Sequence, residues 1–201
     1  MRSGAGLTDR SDSLIALTFD DGPMPDYSDS VLAILAGRSV RATFYVVGQE
    51  IVKEPEVARR IAAAGHELGN HSYSHRALES LWPGSVRSEI ETTDSLIRAT
   101  SFAGPITFRP PYGRRKFGLL WYLARSERTA VLWTLDPDTH NDDLESIVRE
   151  VLDRVRPGAI ILLHVELPKR AASRAALPVL VDSLRARGYR FVTVRELLGL
   201  N

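Results

Sequence analysis

Seven short runs of apolar and β-branched residues punctuate the chain: Leu14–Phe19, Ala42–Val47, Glu67–Asn70, Thr107–Arg109, Ala130–Leu135, Ala159–Leu163 and Arg190–Thr193. Their length and composition predict strands. Between them the apolar positions recur at helical spacing. The clearest stretch runs from Leu144 to Val155, with Leu144, Ile147, Val148, Val151, Leu152 and Val155 on one face. Val86, Ile90, Thr93 and Ile97 form a second such face, and Leu177, Leu180, Val181 and Leu184 a third. Gly37, Gly65, Gly104, Gly158 and Gly188 follow predicted helices, where a left-handed stop is wanted before a strand. The alternation gives seven strand-then-helix units, which predicts an α/β fold of parallel strands with helices packed outside. Periodicity alone leaves an incomplete (β/α) barrel and an open doubly wound sheet as equal alternatives.

The length of 201 residues fits one domain. The reading divides the chain into a flexible lead-in over 1–13 and a single folded domain over 14–201. The opening MRSGAGLTDRSDS lacks the apolar run of a secretory signal. That leaves the cytoplasm, or an exported protein whose signal has been removed. No stretch has the roughly 18 apolar residues of a membrane span. Charge sums to 26 − 25 = +1, with no polybasic run. Nucleic acid and anionic membrane are therefore not expected partners, and a monomer is expected. The chain has no cysteine, which excludes disulfides, a thiolate nucleophile and Cys-ligated metal. A bound metal must be held by imidazole and carboxylate.

In either architecture the site lies at the carboxyl ends of the strands, and the polar residues that interrupt the pattern fall there. Asp20 and Asp21 follow the first run, in T-F-D-D-G-P. His71 and His75 follow the third, in H-S-Y-S-H, four residues apart and able to face one point. Arg109 opens R-P-P-Y-G after the fourth; Asp136, Asp138 and His140 follow the fifth; His164 follows I-I-L-L. A His pair plus a carboxylate from another strand makes an open-sided metal site. Each of these is a weak signal alone, since surface histidines, Asp-Gly turns and satisfied core polar residues are common. Their convergence on one rim is what carries weight.

These motifs, with R-A-T-F-Y-V-V-G-Q (41–49), G-H-E-L-G-N-H-S-Y-S-H (65–75) and the closing R-G-Y-R-F-V-T-V (187–194), closely resemble the NodB-type polysaccharide deacetylases, carbohydrate esterase family four, in the family's order. The resemblance spans about Leu14 to Leu198. It implies a distorted (β/α)7 barrel in a single domain, and hydrolysis of N-acetyl groups on N-acetylglucosamine-containing glycans. It also implies a divalent metal, zinc by default with cobalt, nickel or manganese as substitutes, held by Asp21, His71 and His75. Asp20 is then the general base, Arg109 its partner, and His164 the general acid. Tyr112 supplies a backbone N–H to the oxyanion, and Leu162 and Pro110 join it as substrate-binding residues, Leu162 against the acetyl methyl. An O-acetyl esterase acting on acetylxylan and a non-catalytic glycan-binding barrel remain alternatives.

The chain departs from the family at the fourth motif, usually D-P-R-D-W and here Asp136-Pro137-Asp138-Thr139-His140. Either Asp138 or Asp136 is left to tune His164, and His140 is either a groove wall or a loop residue. Val165-Glu166 stand where an Asp or a small residue is usual, and are expected to alter the pocket rim. Trp133 is expected to pack in its strand, and Trp82 and Trp121 between helices and loops. Tyr73 and Tyr112 are expected at the sugar, His66 in a structural role. Arg114-Arg115-Lys116 and Lys169-Arg170 read as solvated loops.

Overall fold

The structure, a computed structural model, describes residues 13–115 and 117–200. The predicted lead-in over 1–13 lies outside the described residues except for Ser13, as does Lys116. Among the described residues five strands form: β1 (Leu14–Asp20), β2 (Thr43–Val46), β3 (Glu67–Asn70), β4 (Ile160–Leu163) and β5 (Arg190–Val192). Among the same residues eight α-helices accompany them: α1 (Pro25–Gly37), α2 (Gly48–Lys53), α3 (Pro55–Ala63), α4 (Pro83–Arg98), α5 (Phe117–Arg125), α6 (Leu144–Arg154), α7 (Ala171–Ala186) and α8 (Val194–Leu197).

β1 is the hub. It pairs in parallel with β2 along its second half, with β4 along its middle and with β5 at its start, while β2 pairs with β3. The fourth and fifth predicted strands are reduced to single bridges: Asn70 to Phe108, Phe108 to Ala130, and Leu135 to Ile161. Pro110 and Pro111 directly after Arg109 have no N–H to continue a ladder. In the fifth segment the chain bends at Thr134: its N–H still donates to the Ile160 carbonyl at 2.9 Å, but the Ile160 N–H donates to the Thr134 hydroxyl at 3.0 Å and not to a backbone carbonyl. These bridges nonetheless connect β3 to β4 through the fourth and fifth segments, so the strands close into a distorted (β/α)7 barrel, with β5 paired to the start of β1.

Alternation along β1 sorts its side chains. Ile15, Leu17 and Phe19 face the main apolar layer between barrel and helices. Ala16 faces the barrel interior, with Tyr45, Val131 and Val194. The interior is otherwise polar and satisfied. Thr43 donates to Glu67 at 2.9 Å, Tyr45 Oη meets Thr107 Oγ1 at 3.0 Å, and the N–H of Arg195 reaches Glu67 at 2.9 Å. Gly69 leaves room for the Tyr45 ring, since a Cβ there would sit 2.5 Å from it.

The helical faces read from the pattern are the buried ones: Val86, Ile90, Thr93 and Ile97 in α4, and Leu177, Leu180, Val181 and Leu184 in α7. Truncating such a leucine to alanine typically costs about 2–5 kcal/mol. α6 starts where Asp143 accepts the N–H of Ser146 at 2.8 Å. The second crossover carries two helices, split at Glu54–Pro55. Gly65, Gly158 and Gly188 take the left-handed stop, but Gly37 and Gly104 do not; Ser39 and Ser101 adopt it instead. Trp82 and Trp121 do not pack inside as expected; they are 83% and 51% exposed. Among the described residues no helix is long and apolar enough to cross a membrane.

Candidate active site

Every functional side chain lies at the carboxyl end of a strand or of a bridged segment. The backbone there is bent to aim them. Asp21, Ser72, His75 and Tyr112 are four of the seven non-glycine residues with positive φ among the described residues. Such backbone costs of order 1–3 kcal/mol per residue and concentrates at functional sites.

Asp21, His71 and His75 converge. His75 Nε2 lies 3.2 Å and His71 Nε2 3.6 Å from Asp21 Oδ1. His71 Nδ1 donates to the Arg109 carbonyl at 2.7 Å, which fixes the tautomer and leaves Nε2 as a free lone pair. Burial pushes the His71 pKa down to about 3, so the ring is neutral. Asp21 Oδ1 is buried without a hydrogen-bond partner. One donor atom from each residue lies within 4.8 Å of the others. Two imidazoles and an orphaned carboxylate oxygen at this separation fit a divalent first-row metal.

Asp20 lies beside this cluster, with Oδ2 3.4 Å from His71 Nε2. Its other oxygen accepts from Arg109 Nη1 at 2.7 Å, and the same nitrogen donates to Thr18 at 2.8 Å. Arg109 is fully buried, and its guanidinium stacks on the Tyr45 ring at 4.0 Å. Burial raises the Asp20 pKa, and the Arg109 charge opposes the rise.

His164 stands across the cleft. Its Nδ1 lies 2.9 Å from Asp138 Oδ1, and its backbone N–H donates to Asp138 Oδ2 at 2.7 Å. Burial lowers the imidazole pKa, but the hydrogen bond and charge of Asp138 overcome it, helped by Asp20 and Asp21, and push it up to about 9. Asp138, not Asp136, is therefore the partner, from one position earlier than the family pattern. Asp136 accepts from Thr139 at 2.7 Å and lines the cleft. His140 is exposed and pairs with Glu150 at 2.8 Å, which makes it a loop residue. Asp136, Asp138 and His164 form a second cluster of potential metal donors, but Asp138 is already spent on His164.

The cleft, about 360 Å³, is lined by both acidic turns, His71, His75 and His164, with Tyr112, Leu162 and Trp133 as walls. Tyr112 is exposed, its ring edge-on to His75 at 4.9 Å. Trp133, expected as strand packing, is a cleft wall instead, because the segment around Thr134 leaves strand geometry. Pro110 is buried, accepts the N–H of Gly113 and is not among the lining residues. Tyr73 packs over Gly48 and does not line the cleft either. Lys169 and Arg170 line it, so this pair is no simple solvated loop; Arg170 bonds the Asp138 carbonyl. Val165 and Glu166 are fully buried and form no part of the rim. His66 is buried, its Nδ1 accepting the Ala42 N–H at 3.1 Å.

Sequence reasoning passed over the residues that hold the histidine turn. Glu89 accepts the N–H groups of Tyr73 and Ser74 at 3.0 and 2.8 Å. Asn70 accepts the Ser72 N–H at 2.8 Å and donates to Asp94 at 2.7 Å. The available signal was Glu89 itself, a carboxylate directly beside the apolar stripe of α4.

A buried carboxylate, a carboxylate-tuned imidazole and a place for a Lewis acid around one cleft are the equipment of a metal-assisted hydrolase that needs no covalent intermediate. Residues 8–131 match the model of the polysaccharide deacetylase family. The chain belongs to that family of hydrolytic enzymes. It is 37% identical over 196 residues to a chitooligosaccharide deacetylase from Bradyrhizobium sp. (strain ANU 289), covering 91% of this chain and 90% of the relative. It is 35% identical over 195 residues to a peptidoglycan-N-acetylglucosamine deacetylase from Bacillus cereus, covering 94% and 89%. The crystal structure of the Bc1960 peptidoglycan N-acetylglucosamine deacetylase superposes with a TM-score of 0.89 at 30% identity, covering 94% of this chain and 90% of that one.

Proposed function

We propose that the protein is a metal-dependent deacetylase removing N-acetyl groups from N-acetylglucosamine units of chitooligosaccharide, chitin or peptidoglycan. One observation carries the reading: Asp20, the Asp21–His71–His75 cluster and His164 all open into one cleft, with Arg109 buried against Asp20 and Asp138 buried against His164. The relatives named above bear on the choice of substrate.

Asp21, His71 and His75 would hold the metal, zinc by its donor set, with cobalt, nickel or manganese as substitutes. Once bound, it polarises the acetyl carbonyl and makes a neighbouring water more acidic, toward a pKa of about 7 in well-studied zinc sites. Asp20, paired with Arg109, takes the water's proton as its oxygen attacks the carbonyl carbon. The Tyr112 backbone N–H stabilises the tetrahedral oxyanion, a contribution of about 3–4 kcal/mol for a preorganised donor. Leu162 walls the methyl. His164, held protonated by Asp138, donates to the amine nitrogen as the C–N bond breaks, because an amide anion is too poor a leaving group. Acetate and a free amino sugar leave.

Incubation with N-acetylglucosamine oligomers and zinc should release acetate, and Asp20→Asn should abolish release while zinc stays bound. Release from acetylxylan alone would replace this reading with the esterase. No release from any acetylated glycan would end it.

A further inference from the structure

One buried acid has no part in the chemistry above. Glu166, two residues beyond His164, is fully buried. Its carboxyl is wedged beneath the turn that carries Asp20 and Asp21. A Cβ added to Gly22 would lie 1.9 Å from Glu166 Oε2, so the glycine backbone rests directly on the acid. Oε1 accepts from the Ser28 hydroxyl, which itself accepts the N–H of Met24 at 3.0 Å, while Oε2, the oxygen against Gly22, is buried without a hydrogen-bond partner. Met24 caps α1 and Ser28 lies in its first turn, so the carboxyl is tied to the start of that helix. Both flanks of the assembly are fixed. Val47 N–H donates to the Gly22 carbonyl at 2.9 Å from the far side. Arg174 of α7 bonds the carbonyls of Val165 and Leu167 at 2.9 and 2.6 Å and stacks on Tyr27 of α1 at 4.2 Å. Gly22 is thus clamped between the end of β2 and a carboxyl that is itself immobilised, and Asp21 in its left-handed conformation is the next residue back.

We propose that Glu166 is a positioning residue that seats the Asp20–Asp21 turn, and so sets how tightly Asp21 and its two histidines hold metal. The inference rests on the reading of Asp21 as a metal ligand.

Zinc affinity of the metal-free protein, measured by calorimetry, tests it beside the zinc-induced rise in melting temperature. Residues that support metal ligands typically contribute 10–100-fold in affinity, so Glu166→Ala should bind zinc at least about tenfold more weakly and show a smaller zinc-induced rise. Glu166→Gln keeps an acceptor for Ser28 and the same bulk under Gly22, so it should stay within about threefold of the parent, well short of that loss. A residue that merely fills the core would lower the melting temperature with and without zinc alike and leave affinity unchanged; that result overturns the proposal. Should Glu166→Ala fail to fold, Ser28→Ala decides, because it removes only the hydroxyl that holds Oε1. Weaker zinc binding in Ser28→Ala supports the proposal, and parental affinity rejects it. A parent protein that binds no zinc would instead refute the metal site itself.

Discussion

Replacing Asp138 with asparagine removes the charge that holds a proton on His164. In the parent protein burial pulls the imidazole down, and Asp138 overcomes this through a 2.9 Å hydrogen bond and its charge, leaving His164 at about 9. Asp20 and Asp21 add to the rise, but a dication bound at Asp21 would offset much of their share, which leaves Asp138 as the chief support. An imidazole at about 9 is about 97% protonated near pH 7.5, whereas one at or below its ordinary value of about 6.5 is protonated about 9% of the time or less. Protonation alone should therefore cost Asp138→Asn about tenfold in kcat near pH 7.5, with KM little changed. The assay is kcat against pH for both proteins on an N-acetylglucosamine oligomer, with melting temperature and zinc affinity as controls on the fold. The basic limb should move from its parental position to below about 6.5 in the variant. A basic limb in the same place in both proteins would refute the assignment of His164 as the acid set by Asp138.

Two further outcomes concern stability. Arg109→Met strands Asp20 as a fully buried unpaired acid, so unfolding by urea should show a loss of about 3–5 kcal/mol, and an unchanged midpoint would contradict the pairing. The metal-free protein should weaken as pH falls from about 6.5, where unfolded histidine begins to take up protons, toward 4. His66 is held down to about 4, first by burial and then by the Arg41 charge, and His71 to about 3, so both stay neutral in the fold over that window. Melting temperatures flat across it would count against these buried neutral rings.

The fold was largely legible because its strands are hydrophobic and its crossovers amphipathic. Leu144–Val155 and the stripes of α4 and α7 need only periodicity to be seen. The fourth and fifth strands were not, because what reduces them to bridges is conformational: prolines after Arg109, and a hydroxyl at Thr134 that takes the Ile160 N–H from a backbone carbonyl. At the site, residue type and motif order were enough to bring Asp20, Asp21, His71, His75, Arg109 and His164 together. The choice between Asp136 and Asp138 was not available, since one residue's difference in a short turn decides which carboxylate faces His164. Glu89 and Glu166 were invisible for a related reason. Their partners lie in distant parts of the chain, at Tyr73 and Ser74, and at Gly22 and Ser28. Trp82 and Trp121 show the converse, since tryptophan's usual burial misled where the structure leaves both in solvent.

Metal-assisted deacetylation in this cleft, with Asp20 as the proposed base and His164 as the proposed acid, has a plain readout. The most direct measurement is acetate release from an N-acetylglucosamine oligomer by the chelator-treated protein, before and after zinc is restored, beside the zinc-loaded His164→Ala variant. Release should be absent after chelation, return with zinc, and fall about 10²–10⁴-fold without the His164 imidazole. Undiminished release after verified metal removal, or parental turnover in His164→Ala, would contradict the account.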